Sequence, residues 1–164
     1  MEVTSARPRE SAAVGSYATF YVGGLYLGIE VPRVQELLRY QEITPVPLAS
    51  GVIEGLINLR GHIVTAVDMR RRLRLPPRPA EDTPMNIVLR ARDVAVSLLV
   101  DEIGDVLTPP PESAAPPPAT LRPELREIVA RVFKLDEKLL LGLSAGLLLK
   151  SLCEASASLD GERC

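Results

Sequence analysis

The 164-residue chain carries a weak internal repeat, and that repeat constrains its fold more than any single motif. At an offset of 69 positions, Leu25, Leu27, Ile29, Val31, Val34 and Leu37 fall on Val94, Val96, Leu98, Val100, Ile103 and Val106. Further along the offset grows to 76, and Ile63, Val64, Val67 and Leu73 fall on Leu139, Leu140, Leu143 and Leu149. The seven added residues are taken up by a longer second connection, Thr108–Pro118, which holds six of the fifteen prolines. Apolar matching alone is weak, because any two amphipathic hairpins can be slid into agreement. A shared order of hairpin, helical turn, proline connection and hairpin is harder to reach by chance. The pattern implies two β lobes of about 60 residues, each too small to bury enough surface alone. They are expected to pack on a shared hydrophobic core, with a groove at the junction suited to a ligand or partner segment.

Local patterning supplies the elements. Tyr17–Val22 alternates, Gly23-Gly24 is a hairpin turn signal, and Leu25–Ile29 returns. Val31–Leu38 reads as a short helical turn, with Pro32 near its start and Val34, Leu37 and Leu38 at helical spacing. Strands follow at Ile53–Leu59 and Ile63–Met69, then at Ile87–Leu89 and Val94–Val100, then at Val129–Leu135 and Leu139–Leu143. Thr108–Pro118 reads as an extended surface connection, since proline denies a sheet its N–H donors. A short apolar helix over Ala145–Leu152 closes the ordered part. The expected organisation is a flexible tail at 1–16, a folded unit at 17–150 and a polar tail at 151–164. The folded unit divides into lobes near 17–80 and 85–150, with exchange of strands between them allowed. The class is all-β with short helices.

Composition narrows the chemistry. Hydrophobic residues reach 46%, too many for a disordered chain, while aromatics are 4%, so the core must be aliphatic. A net charge of −2 argues against a dedicated nucleic-acid binder. No apolar run is long enough to span a membrane, so direct insertion is not expected. One histidine, His62, and two cysteines, Cys153 and Cys164, exclude a Cys/His zinc site. No phosphate-cradling glycine motif occurs, so neither cofactor nor metal is expected.

Three features could still carry chemistry or binding. Gly142-Leu143-Ser144-Ala145-Gly146 fits the nucleophile elbow of serine hydrolases, between a strand and a helix. No histidine follows it, and the chain lacks alternating βα units, so a strand-to-helix turn of small residues is the favoured reading and a hydrolase the remote one. Arg70-Arg71-Arg72-Leu73-Arg74 is the densest basic run. It lacks stacking aromatics, and a solvated face at a strand end accounts for it best, with an acidic partner as the alternative. Arg60, in Asn58-Leu59-Arg60-Gly61, interrupts an apolar strand pair at a turn. Its guanidinium offers a planar fork suited to a carboxylate, and Glu36 is the candidate partner. On residue type alone, an ordinary surface ion pair is the favoured account.

Several segments resemble, in order and spacing, the CheW-type chemotaxis coupling proteins. They are Gly28-Ile29, Val34-Gln35-Glu36-Leu37, Gly55–Val64 running on to Val67–Leu73, Val100–Leu107, and Lys134-Leu135-Asp136 with Leu139–Leu143. The likeness spans about residues 17–150. It implies two SH3-like five-stranded barrels on a shared core, and a cytoplasmic, non-enzymatic adaptor recruited to membrane-associated receptor arrays. Its implied partners are the regulatory domain of a CheA-type histidine kinase and the cytoplasmic tip of methyl-accepting chemoreceptors. An adaptor that binds one partner only, or competes with the main coupling protein in a pilus, gliding or developmental pathway, is the alternative. By motif match, Val34, Glu36, Gly55, Asn58, Arg60 and Gly61 fall on the receptor-binding groove and its support. The resemblance carries over no kinase-contact residues. The family usually has Pro where Thr65 stands and an acidic residue where Ser144 stands.

Overall fold

Short apolar runs punctuated by glycine and proline favour strands over helices, and among the described residues eleven strands carry the fold. The computed structural model describes residues 15–47, 51–90 and 95–160, the last eight of these by backbone alone. In chain order the strands are β1 (Tyr17–Val22), β2 (Leu25–Glu30), β3 (Val34–Leu38), β4 (Ile53–Leu59), β5 (His62–Asp68), β6 (Met85–Arg90), β7 (Ala95–Val100), β8 (Glu102–Leu107), β9 (Ala114–Ala115), β10 (Val129–Lys134) and β11 (Leu139–Leu143). Helices are α1 (Met69–Arg72), α2 (Pro123–Arg126) and α3 (Ala145–Asp160).

The strands form a six-stranded sheet, β8-β1-β2-β11-β10-β9, and a five-stranded sheet, β3-β6-β7-β5-β4. Neither sheet follows the sequential division near residues 80–85. The first hairpin, β1–β2, pairs with strands from the second half, and β6–β7 pairs with strands from the first. The exchange obeys the sequence repeat. Under the two offsets β1, β2, β8, β11 and β10 fall on β6, β7, β3, β5 and β4, which converts one sheet order into the other. Registers agree residue by residue. The parallel pairs Leu141↔Leu27 and Gly142↔Gly28 correspond to Thr65↔Val96 and Ala66↔Ser97. Even the irregularities coincide, between Ala18 and Phe20 against β8 and between Val34 and Glu36 against β6. The sheets are thus related by a pseudo-twofold exchange of hairpins.

Burial explains why the exchange holds. The largest buried cluster draws Phe20, Leu27, Ile29, Leu141 and Leu143 from one sheet and Val67, Ile87, Leu89, Leu98 and Val100 from the other. Two smaller clusters each stay within one sheet: Ile57, Val64, Val88 and Leu99, and Tyr17, Phe133 and Leu140. The principal core is therefore common property of the two lobes, as their size requires.

Three local expectations give way. Val34–Leu38 is a strand; only Val31–Arg33 form a single 3-10 turn around Pro32. Apolar residues at i, i+3 and i+4 over five positions also fit a bulged strand, and pairing with β6 decides between them. The C-terminal helix does not stop at Leu152 but continues to Asp160, so 151–160 is not an irregular polar tail. Nothing in that stretch breaks a helix: it contains neither glycine nor proline. The arginine run is a solvated face only in part, through the exposed Arg71 and Arg74. Arg70 and Arg72 are largely buried, held by Asp101 and by Glu127 with Ser151 respectively, while Arg71 reaches Glu54 and Asp68. The one-turn helix α1 points successive arginines at different partners, which a strand end would not. Residues 1–14 and 161–164 of the expected tails, and residues 91–94 at the start of the strand expected over Val94–Val100, lie outside the described residues.

Because each half lacks the partner strands for its own hairpin, fragments 1–80 and 81–164 should each fail to fold alone. Mixed or co-expressed, they should associate and show one cooperative thermal transition by circular dichroism. A cooperative transition in either fragment by itself would contradict the exchanged architecture.

Candidate functional site

The five-stranded sheet is open between β3 and β4, its two outer strands. Glu36 lies on β3 opposite Val88, and Arg60 lies in the turn that follows β4. Their side chains meet across this seam in a bidentate fork: Arg60 Nη1 donates to Glu36 Oε2, and Nη2 donates to Oε1 at 2.7 Å. Two parallel charge-assisted bonds fix the relative placement of both strands more sharply than one could. The Arg60 guanidinium holds the Glu36 carboxyl below its ordinary range, hydrogen bonding outweighing partial desolvation. Glu36 correspondingly raises the already high pKa of Arg60.

The turn that aims Arg60 is specific. Arg60 and Gly61 both hold positive φ, 51° and 86°, the geometry of a two-residue type I′ hairpin. Glycine takes this conformation freely, whereas arginine does so against a steric preference. Asn58 supports the turn by accepting a hydrogen bond from the Gly61 N–H at 3.0 Å. Asn58, Arg60 and Gly61 therefore act as one unit: the amide steadies the hairpin, and the hairpin presents the guanidinium to Glu36.

Gly55 supports the same seam by a different route. Thr44 and Leu56 exchange two backbone hydrogen bonds of 2.8 Å, laying the β3–β4 connection along β4. A Cβ on Gly55 would collide with the Thr44 carbonyl oxygen and stand 2.6 Å from Ile43 Cγ2. Val34 does not join the polar cluster. It lies on β3 opposite Leu89, packed against the shared core, so it couples the strand bearing Glu36 to the junction of the two sheets.

Ser144 has a structural occupation. Its Oγ accepts from the Leu147 N–H at 3.1 Å and caps α3, while its own N–H donates to the Ile128 carbonyl. Asp68, its counterpart in the repeat, caps α1 by accepting from the Arg70 N–H. His62 opens β5 and is exposed. Among the described residues, no group of histidine, cysteine and carboxylate side chains could hold a metal ion.

The comparisons with known proteins bear on this geometry directly. The CheW-like domain family matches residues 16–153. The chain belongs to the CheW-type chemotaxis coupling protein family. The chemotaxis protein CheW of Bacillus subtilis is 30% identical over 143 residues, covering 87% of this chain and 85% of that protein. The CheW of Klebsiella aerogenes is 28% identical over 135 residues, covering 82% of this chain and 81% of its own length. Among solved structures, the scaffolding protein TtCheW from Thermoanaerobacter tengcongensis superposes with a TM-score of 0.74 at 24% identity, over 92% of this chain and 97% of that one. That likeness establishes the fold of two lobes on a shared core in this CheW-type chain.

One polar cluster escaped the sequence reading. Asp101, between β7 and β8, accepts from Arg70 Nε at 3.0 Å, Arg70 Nη2 at 2.7 Å, the Gly23 N–H at 2.7 Å and Arg78 Nε at 3.3 Å. Its donors lie 23 to 78 positions away, so no local pattern announces them. Only its place in the Val100–Leu107 motif marked it.

Two outcomes follow. Gly55→Ala should destabilise the fold by about 1–3 kcal/mol through displacement of the 43–44 backbone, read as a lower urea midpoint. The Glu36–Arg60 coupling has a definite pH sign, because the folded-state pKa of Glu36 is lowered. Its stabilisation is fully present above the ordinary value of 4.5 and is lost as pH falls through the lowered folded-state value. A double-mutant cycle of Glu36→Gln and Arg60→Ala should therefore show coupling at neutral pH that disappears in acid. Coupling that persists in acid would place its origin outside the ion pair.

Proposed function

We propose that this CheW-type chain is a non-enzymatic adaptor of a bacterial chemosensory system. It bridges the regulatory domain of a CheA-type histidine kinase and the cytoplasmic tip of methyl-accepting chemoreceptors. The observation that carries the reading is the Glu36–Arg60 fork across the β3–β4 seam, on the motif positions associated with receptor binding. Arg60 is 68% exposed there, so a pair that organises the seam also faces a partner. Exposed Leu37, Tyr40 and Ile63 lie on or beside the elements that carry it, and exposed apolar side chains rimmed by polar groups mark protein contact surfaces.

The occupation of Ser144 as a helix cap supports an adaptor over a hydrolase, since a capping hydroxyl is not held for attack on a substrate. Among the described residues no helix is long and apolar enough to cross a membrane. Transmission requires contacts whose free energy differs between the kinase-on and kinase-off arrangements. Two rigid lobes sharing one core meet this requirement, because a partner on one lobe biases what the other presents.

Arg60→Ala should weaken association with a receptor cytoplasmic fragment by about ten-fold or more while leaving the circular dichroism spectrum unchanged. Pull-downs with kinase and receptor fragments, singly and together, separate a bridge from a module that competes for one partner. Recovery of all three components in one complex is expected. Mutually exclusive binding would favour the competitor, and unchanged receptor affinity in Arg60→Ala would remove the groove from the Glu36–Arg60 seam.

A further inference from the structure

The chain passes between the two sheets at pseudo-equivalent places, and the two crossings are built differently. After β2 it crosses through Val31–Arg33, a 3-10 turn with no buried residue and no side-chain cap. After β7 it crosses through one residue, Asp101. The Asp101 side chain touches both sheets at once. From the six-stranded sheet it takes the Gly23 N–H, in the β1–β2 turn, at 2.7 Å. From the five-stranded side it takes the forked Arg70 of α1, at 3.0 and 2.7 Å, and Arg78 of the β5–β6 connection, at 3.3 Å. Its backbone N–H is also engaged, donating to the Tyr21 carbonyl of β1 at 2.9 Å.

These partners are themselves held. Arg70 Nη1 donates to the Pro76 carbonyl at 2.8 Å, and its side chain is only 15% exposed. Arg78 is 11% exposed and lies 3.9 Å from Asp68, the residue that caps α1. A carboxylate in this setting has lost much of its water, and removing its charge leaves the Arg70 guanidinium without its paired counter-ion and Arg78 with only the more distant Asp68. Position 32, the counterpart of Asp101 in the repeat, is proline and carries no polar side chain. The two sheets are thus tied by a side chain at one crossing and by backbone alone at the other, where the Val31 N–H donates to the Ser16 carbonyl at 2.8 Å.

We propose that Asp101 is a positioning residue that fixes the orientation of one sheet against the other, and with it the geometry that the Glu36–Arg60 seam presents to a receptor. The Val31–Arg33 crossing leads directly into β3, the strand that bears Glu36. A change of inter-sheet angle about Asp101 therefore moves the seam, both of whose walls belong to the five-stranded sheet, relative to the six-stranded sheet. The functional half of this inference rests on the adaptor reading; the orientational half does not.

The test uses the full chain with Cys153→Ser and Cys164→Ser, carrying spin labels at Arg90→Cys on β6 and Lys134→Cys on β10, both exposed positions. Pulsed electron paramagnetic resonance then reads the distance between the sheets. The parent should give one narrow distribution. Asp101→Asn should broaden it or add a second distance while the far-ultraviolet dichroism stays native, and should weaken receptor-fragment binding by about five-fold or more. Arg70→Lys keeps the charge but removes the fork; it should give a smaller broadening, and it carries the test if Asp101→Asn fails to fold. A role in stability alone would lower the melting temperature and leave the distances unchanged. Unchanged distances in both variants, or unchanged receptor binding in a variant whose distances have broadened, overturn the inference. If the parent binds neither kinase nor receptor fragment, the adaptor reading is what fails, and the distances still decide whether Asp101 sets the orientation.

Discussion

Everything in this structure depends on two parallel ladders, β2 with β11 and β7 with β5, that join hairpins from opposite halves of the chain. Parallel neighbours cannot be joined by a tight turn, so each ladder forces a long excursion between its strands. Here the two excursions pass through each other's lobes, and the fold becomes one cooperative body. The shared core is the energetic counterpart of that topology. Leu27 and Leu141 on one ladder, and Val67 and Leu98 on the other, are buried in the same cluster. A lobe of this size would be marginal alone, and the exchange removes the occasion for it to stand alone.

Duplication does not make the lobes equivalent at their seams. Under the repeat, Glu36 falls on Asp105 and Arg60 falls on Asp136. The seam of the five-stranded sheet is therefore closed by a charge-assisted fork, whereas the matching positions of the other lobe are two carboxylates that cannot pair with each other. Asp68 and Ser144 show the opposite behaviour. Their chemistry differs, but both side-chain oxygens accept the backbone N–H that begins a helix. Positions that serve the backbone kept their role through an exchange of residue type, while those facing outward diverged.

The parts legible in sequence were those written in short-range pattern. The Gly23-Gly24 turn, the turn around Arg60-Gly61-His62 and the strands β4, β5, β10 and β11 are each marked within a few residues, and the structure has them, with His62 already inside β5. The repeat was also legible, through apolar side chains that recur because both lobes contribute to one core. Which hairpin joined which half was not, because a repeat shows what the units are and leaves open how they pair. Val34–Leu38 was misread because a bulge and a helical turn produce the same apolar spacing over five residues. The arginine run was misread because charge density says nothing of burial. Arg70 and Arg72 go inward because Asp101 and Glu127 await them from 31 and 55 positions away. In the site, Glu36 and Arg60 are legible as a pair by the fit of a guanidinium to a carboxylate, and the role proposed for them rests on family likeness.

The cost of burying charge explains why this chain has arginines inside at all. An aliphatic core with few aromatics packs well but is non-directional, and hydrophobic contacts alone would tolerate a range of angles between the sheets. A forked arginine on a partly buried carboxylate tolerates few, because any displacement strands a desolvated charge. Burial alone would push the Asp101 carboxyl upward, yet the hydrogen bonds from Arg70 and Gly23 outweigh it and hold the group below its ordinary range. The ionised form is thus the one the junction is built around. Charge spent inside in this way contributes little to affinity for any outside partner. What it supplies is a defined angle between two otherwise apolar surfaces, which the aliphatic core alone leaves free.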